Sequence, residues 1–275
     1  MRYLKYTIKT TEEWKEVLLA ELAEVGFDTF DDSKAATLEA WVLEGNHDAS
    51  AVQAVLEQYA DQVLSVEGPV EEPEKNWNEV WESQYEPVSI DSWVHIRAPF
   101  HPVPEATFAH VLEIMPKMSF GTGHHGTTAG ILRSMQALDF TNKRVLDMGC
   151  GTGVLGILAS KMGAKSVMGI DIEAWAVENA IENASRNRAQ MEVLEGGKEL
   201  ISGVFDVVLA NINRNIIIDQ LPVYASVLTE GGTLVCSGFY LQDVAIICEN
   251  AALHGFKMST VNNEGQWANV VFSKI

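Results

Sequence analysis

The chain has few cysteines, few basic residues and no long apolar run. Its three cysteines, Cys150, Cys236 and Cys248, are scattered through 275 residues, too few and too far apart for a disulfide framework or a zinc site. No stretch reaches the roughly 18 apolar residues of a membrane-spanning helix, and the N-terminus lacks the apolar core of a signal peptide. These absences favour a protein of the reducing cytoplasm with no membrane partner.

Acidic residues outnumber basic ones two to one, 38 against 19, which gives a formal charge of −19. The acidity is concentrated in residues 1–86, with 20 acidic and 6 basic residues, whereas residues 87–275 have 18 and 13. Such a field disfavours direct binding of nucleic acid and favours a basic protein partner. An acidic surface also simply keeps a protein soluble, so the charge alone leaves both interpretations open.

The first 66 residues have the pattern of a small α+β domain. Residues 3–9 alternate like a strand, and Thr10 with Glu13 resembles a capping box that opens a helix through about Val25. The next predicted elements are strand, strand, helix and strand, at residues 27–30, 38–43, 48–62 and 63–66. The order βαββαβ is that of the ferredoxin-like fold. No cluster of His, Cys or Ser suggests chemistry here, so we predict a substrate-recognition domain.

Residues 67–86 separate this domain from the rest of the chain. Residues 67–75 are acidic and interrupted by two prolines, which predicts a linker. The short helix predicted next has Trp77 and Trp81 four residues apart on one face, and large aromatic residues at that spacing usually pack. We therefore expect a connecting helix that is anchored to a third segment, residues 87–275.

A glycine-rich turn marks this last segment as a cofactor domain. Residues 145–157 read VLDMGCGTGVLGI, an apolar strand followed by Gly149, Gly151 and Gly153 and then by the start of a helix. Asp171 ends the next apolar run, where a carboxylate can accept hydrogen bonds from ribose hydroxyls. The spacing predicts a site for a nucleoside-bearing cofactor.

Asp147 separates the two cofactors that suit this turn. Residues 151–156 also satisfy the dinucleotide pattern G-x-G-x-x-G, in which backbone amides receive a pyrophosphate. A carboxylate two residues before the first glycine would repel a pyrophosphate but suits the amino and sulfonium groups of S-adenosylmethionine (AdoMet). We predict AdoMet, with S-adenosylhomocysteine as its product; a dinucleotide and a purely structural turn remain the alternatives.

The remaining elements predict a doubly wound parallel sheet that ends in a hairpin. Strands are expected at residues 191–195, 205–210 and 233–237, between helices. Two further strands, at 256–261 and 267–273, are joined by so short a connection that they must pair antiparallel. A parallel sheet closed by such a hairpin is typical of class I AdoMet methyltransferases, which are α/β proteins with a Rossmann-like fold.

A loop at residues 116–128 adds candidate binding residues. Its glycines suit a close backbone approach to a ligand, and Thr127 and Thr128 offer hydroxyls near the start of a helix. The adjacent His124 and His125 side chains diverge and have no accompanying carboxylate or cysteine, so we expect no metal site.

Asn211 ends the strand at 205–210, at the carboxyl edge where open α/β sheets bind ligands. Its amide oxygen and the backbone carbonyl of Ile212 can accept hydrogen bonds from a substrate N–H. Enzymes that methylate planar nitrogens usually have Asn-Pro-Pro followed by an aromatic residue here, whereas this chain continues with Asn213 and Arg214. The difference favours an aliphatic amine over a nucleobase or a glutamine.

The chain resembles the ribosomal-protein methyltransferases of the PrmA family in six segments: residues 118–128, 146–153, 169–180, 209–212, 232–238 and 264–267. The resemblance covers the larger domain and the connecting helix, while the first 66 residues match in pattern only. It implies trimethylation of amines, on lysine side chains or the N-terminus, of the eleventh protein of the large ribosomal subunit. It also implies that the N-terminal domain grips this protein and that the linker lets the domain swing. Gly126 stands where the family often has Pro or Glu.

The resemblance implies that Thr128, Gly149, Asp171 and Asn211 contact AdoMet. The full predicted cofactor-binding set is Phe120, Thr127, Thr128, Asp147, Gly149, Gly151, Gly153, Asp171, Ile172 and Asn211. Asn211, with the carbonyl of Ile212, is also predicted to orient the amine, and no general base is predicted. We expect a monomer. Methylation of RNA or of a small-molecule amine, and a non-catalytic AdoMet-binding module, are the alternative functions.

Overall fold

The computed structural model describes residues 2–72, 85–117 and 121–275. They form two compact units that divide between Tyr85 and Glu86. Trp77 and Trp81 of the predicted connecting helix, and the candidate Phe120, lie outside the described residues. Within the described ranges, no helix is long and apolar enough to cross a membrane.

The first unit is a four-stranded sheet with two helices. Its elements are β1 (Tyr3–Lys9), α1 (Glu12–Glu24), β2 (Phe27–Asp31), β3 (Thr37–Leu43), α2 (Ala49–Gln58) and β4 (Ser65–Glu72). The strand order is β2-β3-β1-β4, and every neighbouring pair is antiparallel. Apolar residues of both helices and of β1 and β3 share one core. This is the ferredoxin-like arrangement that the element order predicted.

Helix α1 does not begin with the predicted capping box. Thr10 is fully buried, and its hydroxyl donates a hydrogen bond to the carbonyl of Gln62 at 2.9 Å. Thr11 is the N-cap instead, without a capping hydrogen bond from its side chain. The capping-box prediction was wrong because a tertiary contact 52 residues away engages the hydroxyl.

Strand β4 begins at Ser65 and continues to Glu72, through residues that the sequence assigned to the linker. Pro69 is tolerated because β4 is an edge strand that pairs only with β1, so an absent N–H on its outer side breaks no ladder. The register between the two strands shifts between Lys5 and Thr7, opposite Gly68 and Pro69. The extra residues are accommodated there as a bulge.

The second unit contains a three-stranded and a seven-stranded sheet. Its elements are β5 (Val88–Ile90), β6 (Val94–Arg97), β7 (His110–Glu113), α3 (Gly126–Gln136), β8 (Arg144–Met148), α4 (Val154–Lys161), β9 (Ser166–Asp171), α5 (Ala174–Arg186), β10 (Met191–Glu195), β11 (Phe205–Asn211), α6 (Arg214–Val227), β12 (Leu228–Tyr240), α7 (Val244–Leu253), β13 (Phe256–Glu264) and β14 (Trp267–Lys274). The large sheet has the order β10-β9-β8-β11-β12-β14-β13. Its two antiparallel pairs are β12 with β14 and β13 with β14, and the second pair confirms the predicted terminal hairpin.

The parallel strands are apolar along their length because helices cover both faces of the sheet. In β11, Val207 and Leu209 belong to a core that includes residues of α3 and α4. The alternate residues, Val208 and Ala210, belong to a second core with α6 and α7. All four side chains are at most 3% exposed. The rigid centre of the sheet ends at the point where Asn211 follows.

Two asparagines of α5 and its C-cap, Asn187, hold the segment that leads towards the loop at 116–128. Asn187 pairs with the backbone of Glu113 through both its amide oxygen and its amide nitrogen, at 2.9 and 2.7 Å. The amide oxygen of Asn183 accepts a hydrogen bond from the N–H of Met115 at 2.8 Å, and the amide nitrogen of Asn179 donates one to the carbonyl of Met115 at 3.3 Å. Their four-residue spacing places them on one helix face. The sequence pattern predicted neither this ladder nor the small sheet β5–β7.

Candidate active site

A cavity of about 340 Å³ opens at the carboxyl end of the parallel strands. It lies where the strand order reverses, between β8 and β11, the usual ligand position in open α/β sheets. Of the predicted cofactor-binding residues, the structure brings together five along its wall: Gly149, Gly151, Asp171, Ile172 and Asn211. The other lining residues are Met148, Glu173, Trp175, Ala176, Gly197, Ile212, Ile216 and Gln220.

The turn after β8 depends on glycine. Gly149, Gly151 and Gly153 have φ of +68°, +54° and +79°, a region that L-residues with a Cβ rarely adopt. A Cβ on Gly149 would lie 2.4 Å from Cγ2 of Ile212. The absent side chain therefore keeps the turn against the end of β11 and leaves the backbone exposed to the cavity.

Asp171 ties the turn to the end of β9. Its Oδ2 accepts a hydrogen bond from the N–H of Gly151 at 2.8 Å, and its Oδ1 accepts one from the N–H of Glu173 at 3.1 Å. Each carboxylate oxygen has a second lone pair. The half-buried carboxylate lines the cavity, so both oxygens can still accept hydrogen bonds from a pair of hydroxyls.

Asp147 lies beneath the turn and does not line the cavity. Its side chain is 1% exposed, and its Oδ2 accepts a hydrogen bond from the N–H of Gly156 at 2.8 Å. Its Oδ1 has no partner among the described residues. Burial, with a smaller contribution from the charge of Asp171, raises the pKa of Asp147 to about 7. The structure thus makes Asp147 a support for the turn and for the start of α4.

Asn211 connects the carboxyl end of β11 to α3. Its amide nitrogen donates a hydrogen bond to the hydroxyl of Thr128 at 3.1 Å. Its amide oxygen is buried and has no partner in the described part of the chain. A buried acceptor without a donor costs about 1–3 kcal/mol. A ligand that brings an N–H to this oxygen would remove that cost, and an amine is such a ligand.

Thr127 and Gly153, two further predicted cofactor-binding residues, do not line the cavity. Thr127 is buried beside the imidazole of His125, which accepts a hydrogen bond from its backbone N–H. Gly153 begins α4 and packs against α5, where an added Cβ would lie 3.2 Å from Cβ of Ala180. The side chains of His124 and His125 diverge, as the sequence predicted. Nε2 of His124 lies 2.8 Å from the carbonyl oxygen of Glu86, whereas the imidazole of His125 bonds to Thr127. Gly126, the departure from the family pattern, is the first residue of α3.

Two features of the site escaped the sequence analysis. Trp175, the second residue of α5, lines the cavity with 47% of its surface exposed. A second cavity of about 510 Å³ is lined by residues 213–215, which follow Asn211 in the chain, and by the aromatic residues Phe239, Tyr240 and Trp267. Trp175 and Trp267 stood in quoted motifs, without a role. Strand pairing, which brings β12 and β14 beside β11, is the missing information.

The site fits AdoMet on three observations of its own residues. Gly149 and Gly151 of the turn line the cavity, Asp171 presents two acceptors, and the buried oxygen of Asn211 has no donor among the described residues. With its sheet order and terminal hairpin, the chain is a class I AdoMet-dependent methyltransferase. Within that class it belongs to the family described as ribosomal protein L11 methyltransferase (PrmA), whose model matches residues 5–275.

Two similar proteins and one solved structure have names that match this family description. A ribosomal protein L11 methyltransferase of Porphyromonas gingivalis is 40% identical over 286 residues, covering 99% of this chain and 98% of that protein. One from Phocaeicola vulgatus is 37% identical, covering 99% of each chain. The crystal structure of a ribosomal protein L11 methylase from Lactobacillus delbrueckii subsp. bulgaricus matches 69% of this chain and 99% of its own, with 27% identity and a TM-score of 0.63.

Proposed function

We propose that this protein transfers methyl groups from AdoMet to amines of ribosomal protein L11, on lysine side chains, on the N-terminal α-amine or on both. The observation that carries the proposal is the buried amide oxygen of Asn211, a residue that lines the first cavity; this oxygen has no hydrogen-bond partner among the described residues. The names of its relatives supply the protein substrate. An amine N–H satisfies this oxygen, whereas an amine without N–H does not.

The cavity residues divide the work of binding. Asp171 would hold the two ribose hydroxyls, while Gly149 and Gly151 would offer backbone to the methionine part. Ile172, 68% exposed at the mouth, would pack on the adenine. Thr128 would set the orientation of Asn211. When bound, AdoMet supplies an already activated methyl group, so placement of the nucleophile provides most of the rate.

The other predicted residues act from behind or beside this wall. Asp147, Gly153 and Thr127 would keep the turn and the start of α3 in shape, and Phe120 remains a predicted cofactor contact. Asn211 and the carbonyl of Ile212 would point the nitrogen lone pair at the methyl group. Only a neutral amine is a nucleophile: an α-amine, with a pKa of about 7.7–8.0, is partly neutral at pH 7, whereas lysine, at about 10.4, must first lose a proton.

The acidic first unit would recognise the substrate. Twenty of the 38 acidic residues lie in residues 1–86, and ribosomal proteins that contact RNA are basic. We place recognition in residues 1–66, assign residues 67–86 to the linker and connecting helix, and assign methyl transfer to residues 87–275. A cytoplasmic monomer that contacts neither nucleic acid nor membrane is the form we propose.

The direct test is transfer of label from radioactive AdoMet to purified, unmethylated ribosomal protein L11. Mass spectrometry of the product would locate the modified amines. Ribosomal RNA, free lysine and a second basic ribosomal protein serve as competing acceptors. Label on L11 alone supports the proposal, label on RNA or on free amines supports one of the alternative substrates, and AdoMet binding without transfer to any acceptor would mean a non-catalytic module.

A further inference from the structure

We propose that the stacked pair Tyr240–Trp267 holds the substrate nitrogen as it becomes methylated, and thereby allows the same amine to be methylated repeatedly. This inference rests on the proposed amine methylation and assigns a role to the second cavity. The ligand is a tertiary or quaternary ammonium group on a protein side chain or N-terminus.

The pair is held in place by the pairing of strands β12 and β14. Tyr240 and Trp267 are opposite each other in the ladder of β12 and β14. Their ring centroids are 4.4 Å apart with an angle of 23° between the planes. Tyr240 is 42% exposed and Trp267 is half-buried, and both line the cavity. Aromatic surface is thus offered to a ligand in a wall that is fixed by strand pairing.

The pair is joined to the amine-orienting group by a short series of contacts. The ring of Trp267 lies 4.7 Å from that of His125, the N-cap of α3. Thr128, in the first turn of that helix, receives the hydrogen bond from Asn211. On the other side, a Cβ on Gly238 would lie 2.2 Å from the carbonyl oxygen of Ile212. The aromatic wall therefore begins directly behind the Asn211–Ile212 segment.

The charge in the cavity is already balanced near the pair. Arg214 donates a hydrogen bond to Oδ1 of Asp243 at 2.7 Å, and Oδ2 of the same carboxylate accepts one from the N–H of Tyr240 at 3.2 Å. Asp243 is 9% exposed, so little of it faces the cavity. The aromatic faces, rather than this carboxylate, are left to attract a cation.

The chemistry of successive transfers creates a need for such a wall. In each transfer the nitrogen lone pair forms a bond to the methyl carbon, the carbon–sulfur bond breaks and its electron pair stays on sulfur. The resulting ammonium gives a proton to water before the next round. A neutral primary amine has two N–H groups, a monomethylated amine has one and a dimethylated amine has none. The oxygen of Asn211 therefore loses its hold on the substrate with each cycle.

Positive charge develops on nitrogen in every round, and an aromatic face attracts it whether or not an N–H remains. Methyl groups also spread the charge over a larger surface that packs on a ring. The contribution of Tyr240 and Trp267 should therefore be largest in the last transfer, where Asn211 contributes least. Asn211 and the aromatic pair are complementary parts of one amine-holding site.

The first experiment follows the ratio of mono-, di- and trimethylated products over time by mass spectrometry. Trp267→Leu and Tyr240→Leu should accumulate mono- and dimethylated product, with the later transfers slowed more than the first. Trp267→Phe, which keeps an aromatic face, should restore part of the trimethylated product. Trp93→Leu, at an aromatic residue of the small sheet region, is the matched control and should leave the product ratio as in the parent. Melting temperatures exclude unfolded variants.

The second experiment needs no turnover. Isothermal titration measures how the AdoMet-free enzyme binds a peptide with trimethyllysine and the same peptide with its uncharged carbon isostere. The charged peptide should bind more tightly, and Trp267→Leu should reduce that preference by about 5- to 30-fold, the range expected for a cation on one or two rings. Equal binding of both peptides, or an unchanged product ratio in both Leu variants, would overturn the inference.

These outcomes separate the inference from the proposed function. If the parent enzyme methylates ribosomal protein L11 and the aromatic variants give the parental product ratio, the function stands and the role of the pair falls. If the parent transfers no methyl group to L11, the proposed substrate falls, and the peptide titration still decides whether the cavity binds methylated ammonium groups.

Discussion

Asn211 and Thr128, 83 positions apart in the chain, form a hydrogen bond of 3.1 Å from the amide nitrogen to the hydroxyl. The bond fixes which way the amide is turned and thereby aims its oxygen, which has no partner among the described residues, away from Thr128. A strand end and a helix start thus cooperate to present a single acceptor. Four predictions concern this site, the turn after β8 and the acidic first unit.

Replacing Asp171 with Ala should weaken AdoMet binding by about 1.5–3 kcal/mol, the range for hydrogen bonds to a charged group, or roughly 10- to 150-fold in Kd. Asp171→Asn should lose less, because one acceptor remains. Glu178→Ala removes an exposed carboxylate from the neighbouring helix and is the control. Isothermal titration measures each Kd. Unchanged affinity in Asp171→Ala, or tight binding of NAD to the parent enzyme, would contradict the assignment.

Replacing Asn211 with Ala should lower kcat far more than it lowers the melting temperature, because in the proposed mechanism its oxygen orients the substrate amine. Thr128→Val should lower kcat in the same direction by freeing the amide to rotate, and Thr128→Ser should recover much of the loss. Steady-state kinetics and thermal melts of the same preparations provide the comparison. Parallel losses of rate and stability in Asn211→Ala would mean that this residue only supports the strand end.

Neutralising exposed acids of α1, in the triple variant Glu13→Gln, Glu16→Gln and Glu24→Gln, should reduce kcat/KM for the basic protein substrate several-fold at low salt. The reason is a weaker attraction between the acidic domain and the substrate before they meet. The KM for AdoMet should stay near that of the parent. The effect should fade above about 0.1 M salt, where the Debye length is near 10 Å.

A matched variant separates local from overall charge. Glu178→Gln, Glu192→Gln and Glu249→Gln change the net charge by the same amount on the second unit. If both triple variants lose kcat/KM equally, the first unit has no special role in capturing the substrate. In that case its acidity serves solubility.

Asp147 should make the stability of the AdoMet-free protein depend on pH. Because burial raises its pKa to about 7 in the folded chain, against about 3.9 in the unfolded chain, the folded state binds the proton more tightly. Its contribution to stability should be greatest at low pH, fall as pH rises from about 4 through the folded-state pKa of about 7, and be constant above about pH 8.

Asp147→Asn cannot titrate and still offers an oxygen to the N–H of Gly156. The melting temperature of this variant minus that of the parent should therefore rise between pH 5 and 8 and then level off. A flat difference for Asp147→Asn would mean that burial does not raise the pKa of Asp147 in the folded protein.

The local sequence pattern was enough to locate the glycine turn. The pattern consists of three glycines in five residues, an apolar run before them and Asp171 after the next apolar run. It is visible in the sequence because the residues of a βαβ unit are contiguous in the chain. The terminal hairpin was equally readable, since the connection between β13 and β14 is too short for any other pairing. The prediction for Thr10 failed for the opposite reason: its partner, Gln62, comes from the far end of the domain.

The class of fold, the glycine turn and the family could be predicted from the amino-acid sequence, because these depend on periodicity and on residues close together in the chain. What the individual side chains do depends on tertiary packing. Packing buried Asp147 beneath the turn, the contact between α3 and β11 aimed Asn211, and the pairing of β12 with β14 placed Tyr240 on Trp267. Each of these relationships joins residues distant in sequence, and only the folded chain brings them within the few ångströms over which hydrogen bonds and ring contacts act.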